Sequence, residues 1–220
     1  KVYLLYRAEE SYYSAYISRI GLAESSDGFY FKRYSGNPIL IPETQEEQRG
    51  IEDGRIISVD GRYFLTYTAY AGMDEKGHQI TLAGAFSDDL VHWEKIGRLV
   101  PGREKAGAIV QDYKYKGKYV MYFGEGIVKI AFSQNLKNWE ISDQPVLEAR
   151  EGYFDDFWIE GGPPPIITND GILMIYNSSK QGVGYQGKKE FVSYSPGFAI
   201  FDKDNPTKLL FRSEKPIMEP

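Results

Sequence analysis

One phrase, written three times, restricts this chain more than any other feature. Ser25-Ser26-Asp27-Gly28-Phe29-Tyr30-Phe31-Lys32, Ser87-Asp88-Asp89-Leu90-Val91-His92-Trp93-Glu94 and Ser133-Gln134-Asn135-Leu136-Lys137-Asn138-Trp139-Glu140 each set a polar turn ahead of an apolar residue and an aromatic. A short apolar strand precedes every copy, at Ile20 to Ala23, Ile80 to Ala83 and Val128 to Ala131. Further upstream runs a strand ending in tyrosine: Val2 to Tyr6, Tyr63 to Tyr67, Tyr119 to Tyr122 and, in a fourth place, Ile172 to Tyr176. Three of the four follow a tight turn, Asp60-Gly61, Lys116-Gly117 or Asp170-Gly171. Proline-bounded apolar pairs follow the phrases, at Pro38 to Pro42, Leu99 to Pro101 and Pro145 to Leu147.

Three or four short strands recurring every roughly 45 to 60 residues, with turn signals between them, are the signature of propeller blades. A helical solenoid needs a 3.6-residue period that is missing here, and a two-sheet sandwich does not account for a repeated phrase. The reading is therefore all-β: one propeller domain over 1–220, with repeats at about 1–42, 50–101, 107–149 and 161–220. The first repeat begins directly on its tyrosine strand, and the last ends on the proline phrase of Lys215 to Pro220. An open set of four blades exposes sheet edges, so the expectation is a piece of a longer chain whose first blade is incomplete.

Composition narrows the chemistry. The formal charge is −5 with both signs mixed along the chain, which argues against nucleic acid as a partner. No run is long enough for a transmembrane helix and no signal sequence opens the chain, so a membrane role is not indicated. The absence of cysteine excludes disulfides and thiolate metal sites and fits the cytoplasm without excluding the periplasm. Eighteen tyrosines and 12 phenylalanines suit strands, and they equally suit a cleft whose flat faces stack on sugar rings.

The stretch Gly50-Ile51-Glu52-Asp53-Gly54-Arg55 packs two carboxylates and an arginine between glycines, just ahead of the Asp60-Gly61 hairpin. Glycine on both sides is expected to turn the backbone so that the acids leave the sheet, with Asp53 at its mouth. A plain surface turn, its acids paired with Arg49 and Arg55, is the alternative. Equivalent positions in other repeats hold Lys105 and Glu160, and the tyrosine strands lead on to Arg7, Tyr70, Glu125 and Asn177. Carboxylates facing one hollow resemble the pairs that cleave glycosidic bonds, one protonating the departing oxygen and one activating the nucleophile. Glu125 between two glycines also reads as a solvated turn residue, Asp155-Asp156 as a loop pair and Lys105 as a surface charge. His78 and His92 are isolated and read as structural.

Tyr6-Arg7-Ala8-Glu9, Ser18-Arg19-Ile20-Gly21-Leu22-Ala23, Gly50 to Arg55, Thr66-Tyr67-Thr68-Ala69-Tyr70 and Gly162-Pro163-Pro164-Pro165-Ile166, in this order, resemble glycoside hydrolase family 130. That family comprises β-mannoside phosphorylases and β-mannosidases on a five-bladed β-propeller, so the resemblance implies about four blades here with the fifth missing. It implies Asp53 as proton donor, acting through a mannose hydroxyl, and mannose contacts from Arg7, Arg19, Glu52, Tyr70 and Asp156. It implies a mannose-containing oligosaccharide as partner; no cofactor is expected, and with no cysteine and two isolated histidines no metal site is expected either. Phosphorylase members resemble one another in a lysine followed by Asp-Ala-Ala, a His-Arg pair after the third tyrosine strand and a histidine after the fourth. Here Lys105 is followed by Ala106-Gly107, Phe123-Gly124-Glu125 replaces His-Arg, and Asn177 replaces the histidine. The expectation is inverting hydrolysis of β-1,2-mannosides with Asp53 as acid and Glu125 or Glu160 as base, with Lys105 and Asn177 at the substrate. A phosphorylase using inorganic phosphate is the alternative, and a non-catalytic glycan-binding propeller ranks below both.

Overall fold

A computed structural model describes residues 1–9, 17–183 and 189–219, and Pro220 of the closing proline phrase lies outside them. The fold is all-β, with four antiparallel sheets arranged as propeller blades. The chain divides into two compact units, Lys1–Lys105 and Ala106–Pro220.

In the first unit, β1 (Val2–Ala8), β2 (Arg19–Ser25) and β3 (Lys32–Arg33) form one sheet. The second sheet runs β4 (Gly50–Val59), β5 (Arg62–Asp74), β6 (Gly77–Ser87) and β7 (Glu94–Arg98) in chain order. In the second unit, β8 (Ala108–Ile109), β9 (Tyr119–Phe123), β10 (Ile127–Ser133) and β11 (Glu140–Ile141) make a meander, with β12 (Leu147–Glu148) also pairing with β10. The last sheet orders β13 (Trp158–Gly161), β15 (Ile172–Val183), β16 (Lys189–Phe201) and β17 (Leu209–Arg212), while β14 (Ile166–Ile167) pairs with β15. The Asp60-Gly61 hairpin forms where the sequence places it, both residues at positive φ (49° and 80°), as its tight turn requires.

The three copies of the phrase are one hydrogen-bonded device. In each, the serine hydroxyl accepts from the amide two residues on, and Ser25 and Ser87 accept from the next amide as well, as Ser87 does from Asp89 (3.2 Å) and Leu90 (2.9 Å). The carboxylate or amide two residues on then accepts two further amides: Asp27 from Phe29 and Tyr30, Asp89 from Val91 and His92, Asn135 from Lys137 and Asn138. The turn needs a left-handed residue, and Gly28, Leu90 and Leu136 all take it, at 82°, 68° and 62°. Leucine tolerates that backbone because its side chain is buried and the following tryptophan indole donates to its carbonyl. His92 pairs with Asp89 at 2.7 Å and belongs to this turn.

The tyrosine strands are β1, β5, β9 and β15, and each sets one hydroxyl on a partner outside its own strand, with Tyr67, Tyr122 and Tyr176 buried and Tyr6 half-buried. Tyr6 accepts from Asn37 (3.2 Å), Tyr67 donates to Glu47 (2.8 Å), Tyr122 to the Pro206 carbonyl (2.8 Å) and Tyr176 to Asp155 (2.7 Å). Two of the rings lie across a glycine directly opposite, Tyr6 over Gly21 and Tyr176 over Gly197. A Cβ at either glycine would come within 2.5 Å of a tyrosine ring carbon. Glu47 is buried on a single 3-10 turn (Gln45–Glu47), where Lys95 Nζ (2.8 Å) and the Glu43 amide (2.9 Å) also reach it. Burial works against its charge, but the Lys95, Glu43 and Tyr67 hydrogen bonds outweigh it and hold the carboxyl below its ordinary 4.5.

A carboxyl depressed by folding contributes stability above its unfolded value, and that stability is lost as pH falls through the folded one. Glu47→Gln should therefore lower the urea midpoint at neutral pH and flatten its fall below about pH 4.5. An unchanged midpoint and an unchanged acid limb in the variant would remove Glu47 from the account.

Candidate active site

Asp53 does not stand ahead of the strand; it stands inside β4. Glu52 pairs with Thr68 and Arg55 with Thr66, so Asp53 and Gly54 together oppose Tyr67 in a β-bulge. The glycines therefore do not release both acids from the sheet, as the sequence led one to expect: Glu52 stays in register and the bulge re-aims Asp53 alone. Its φ of 52° is in the left-handed region, which aspartate tolerates better than most residues. Gly54 lets the bulge close on the core, since a Cβ there would lie 3.1 Å from Leu65 Cδ1.

Arg7, near the end of β1, gathers the acids of the first unit. Its guanidinium lies 2.6 Å from Glu9, 3.2 Å from Glu52 and 3.5 Å from Asp53. Arg55 Nη1 donates to the Asp53 carbonyl at 2.8 Å. Burial opposes the Arg7 charge, but Glu52, Glu9 and Asp53 together hold the guanidinium above its ordinary value. Burial likewise pushes the Glu52 carboxyl up; Arg7 opposes the shift and Asp53 adds to it. Arg19 opens β2 opposite Ala8 and is half-buried. Tyr70 pairs with Gly50 at the start of β4, and its hydroxyl shares a 3.1 Å hydrogen bond with His78 Nδ1. His78, read from the sequence as structural, thus orients a residue of the predicted sugar site. Lys105 is half-buried at the end of the first unit.

The second unit brings Glu125, Glu160 and Asn177 together. Glu125 and Glu160 face each other across an isolated antiparallel bridge, and Gly126 N donates to the Ile159 carbonyl at 2.9 Å. Glu160 is buried, Glu125 is exposed, and Asn177 Nδ2 donates to Glu160 Oε1 at 3.2 Å from the opposing position on β15. Asp156 is half-buried and accepts from the Gln181 amide at 2.7 Å, next to a structural neighbour. That neighbour, Asp155, is fully buried and takes a two-pronged contact from Arg150 (3.0 and 2.9 Å) and a third from Arg212 (2.6 Å).

Two members of the Arg7 cluster escape a reading by motif roles, Glu9 and Ser18. Ser18 is buried, and its hydroxyl lies 3.2 Å from both Arg7 Nε and Glu52 Oε1. The signal was present: Arg7 and Glu9 share one face of an extended segment, and Ser18 precedes Arg19 within a quoted motif.

Propeller blades with a cation-bridged acid cluster at a bulge of β4 suit a carbohydrate-active protein. The comparisons specify which. A family model described as beta-1,4-mannooligosaccharide phosphorylase matches residues 1–220, and the chain belongs to glycoside hydrolase family 130, enzymes acting on β-mannosides. It is 34% identical over 223 residues to a 1,2-beta-oligomannan phosphorylase of Thermoanaerobacter sp. (strain X514), covering 99% of this chain and 71% of that one. A solved protein of Bacteroides thetaiotaomicron VPI-5482, provisionally called a glycosidase, aligns with a TM-score of 0.86 at 33% identity over 99% of this chain and 70% of its own. Another solved structure has a TM-score of 0.84 at 31% identity, over 99% and 68%. It is described with the statement that the family of mannoside phosphorylases contains glycoside hydrolases that target beta-1,2 mannosidic linkages in Candida mannan.

Gly50 joins the backbone to the cluster: at φ 139° it bridges to Ser18, and a Cβ there would lie 2.6 Å from Ser18 N. Gly50→Ala should cost more than about 1 kcal/mol, because alanine is strained at that φ and lacks the space. A urea titration equal to that of the wild type would show that this contact does not hold the strand.

Proposed function

We propose that the enzyme hydrolyses β-1,2-mannosides with inversion and that Asp53 donates the proton to the departing oxygen, relayed through a mannose hydroxyl. The support for Asp53 is its place on the bulge, 3.5 Å from a guanidinium that also touches Glu52. One cation shared by several carboxylates supplies both donors and acceptors, which is what the hydroxyls of a sugar ring need. Arg7, Glu52 and Tyr70 are assigned to hold the mannose, with Arg19 and Asp156 beside them.

The choice of water as nucleophile rests on one observation, the opposition of Glu125 and Glu160 with Asn177 beside them. By the resemblance, Glu125 and Asn177 lie where phosphorylases carry His-Arg and histidine. Phosphate needs charge-assisted donors; two carboxylates repel it and provide a general base. We assign the base to Glu125 or Glu160, with Lys105 and Asn177 as polar contacts. Phosphorolysis is the second reading, and by kinship it is the better supported of the two, since both the family model's description and the Thermoanaerobacter relative are phosphorylases.

The test is a product assay on β-1,2-mannobiose with and without inorganic phosphate. Hydrolysis gives free mannose at equal rates in both, whereas mannose 1-phosphate formed only with phosphate would reverse the choice. Asp53→Asn keeps the left-handed backbone and should cost about 100- to 10,000-fold in kcat, the scale of a lost proton donor. Glu125→Gln or Glu160→Gln should be similarly damaging if that residue is the base. Full turnover in the Asp53 variant would refute the donor assignment.

A further inference from the structure

We propose that Ser18 is a positioning residue of this enzyme, its hydroxyl tying the Arg7 guanidinium to Glu52 so that Glu9 does not draw the arginine away from the sugar site. This rests on the assignment of Arg7, Glu52 and Asp53 to sugar binding, and it concerns a residue that assignment does not use.

The backbone of Ser18 is fixed from both sides. It bridges in parallel to Gly50, and its carbonyl accepts from Ile51 N at 2.9 Å, one residue before Glu52. The side chain is fully buried, so a hydroxyl there needs partners. It has three: Arg7 Nε donates to Oγ at 3.2 Å, and the two carboxylates within reach are Glu52 Oε1 at 3.2 Å and Glu9 Oε1 at 3.4 Å. A serine hydroxyl has a single proton to donate. With a lone pair facing Arg7 Nε, that proton goes to one carboxylate or the other, and Glu52 lies nearer.

The competition is between the same groups at the far end of the guanidinium. Arg7 Nη2 sits 2.6 Å from Glu9 and 3.2 Å from Glu52, so on charge alone the exposed Glu9 holds it more closely. The Nε bond to Ser18 adds an anchor that Glu9 cannot displace without breaking it. The titratable and charged groups that act most strongly on Glu52 include Arg7 and Glu9 from the β1 segment and Asp53 from its own strand. Ser18 is the neutral member, and its hydrogen bond lowers the carboxyl that burial raises.

Ser18→Ala and the size-matched Ser18→Cys, which lacks a strong donor, should behave alike. In both, KM for β-1,2-mannobiose should rise about tenfold, the scale of one hydrogen bond to a charged group, with kcat within about twofold. The acid limb of kcat/KM should move to higher pH, because Glu52 loses a bond that favours its ionised form. Wild-type kinetics in Ser18→Ala, or recovery in Ser18→Cys, would overturn the proposal, the latter by showing that only volume matters. If neither variant folds, Glu9→Gln on the exposed partner decides: it should commit Arg7 to Glu52 and move the acid limb to lower pH, and no shift or the opposite shift would refute the role. Asp53→Asn in parallel separates this outcome from failure of the site assignment itself, since only the latter leaves that variant active.

Discussion

Each blade sets a tyrosine hydroxyl on a polar partner, and in three of the four the tyrosine is fully withdrawn from water. A buried hydroxyl without a partner costs on the order of 1–3 kcal/mol, so each tyrosine strand must meet a polar group delivered by another segment. Asn37 and Glu47 come from the stretch leading into β4, Asp155 from the loop leading into β13, and the Pro206 carbonyl from the turn after β16. In three of the four, the segment that leads into β4 or β13 is pinned to a tyrosine strand by this hydrogen bond. The buried ion clusters belong to the same device. Lys95 offsets Glu47, and Arg150 with Arg212 offset Asp155, so each carboxylate can serve its tyrosine without standing alone in the interior.

This pinning is what allows β4 to carry an irregular site. A left-handed aspartate within a strand costs roughly 1–3 kcal/mol and persists only where its surroundings over-determine it. β4 is held at one end by Gly50 against Ser18 and beyond the bulge by continuous pairing with β5 from Arg55 to Val59. Tyr67, the residue opposite the bulge, is the one anchored on Glu47. The strain at Asp53 therefore lies between a fixed strand end, a fixed partner strand and a buried hydrogen bond.

What the sequence disclosed and what it hid follow from the range of each interaction. The serine turns were legible because all their hydrogen bonds close within a few residues and need a serine and an Asp or Asn at the same spacing in each copy. The tyrosine strands and the Asp60-Gly61 hairpin were legible for the same reason. The tyrosine partners were not: an amide, two carboxylates and a carbonyl do one job, so the position repeats while the residue type does not. The Glu52-Asp53 stretch was half legible. Its glycines announced an irregularity, but a bulge and a turn use the same letters, and only pairing with Thr68 and Thr66 tells them apart. Ser18 was hidden because a serine acquires meaning only from the charges around it.

The same reasoning bears on the nucleophile. A phosphate dianion held about 5 Å from one carboxylate is repelled by roughly 7 kcal/mol at the effective dielectric of a partly buried site, and by roughly 2 kcal/mol in bulk water. Glu125 is exposed and lies toward the screened limit, whereas Glu160 is buried and lies toward the other. Even the smaller figure weakens phosphate binding by more than tenfold for a single carboxylate. Kinship with phosphorylases therefore carries phosphate chemistry to this chain only if cations replace what the His-Arg pair and the histidine supply elsewhere. On the proposed assignment of Glu125 and Glu160 to the nucleophile's side, their repulsion has to be outweighed before phosphate, and not water, becomes the better nucleophile.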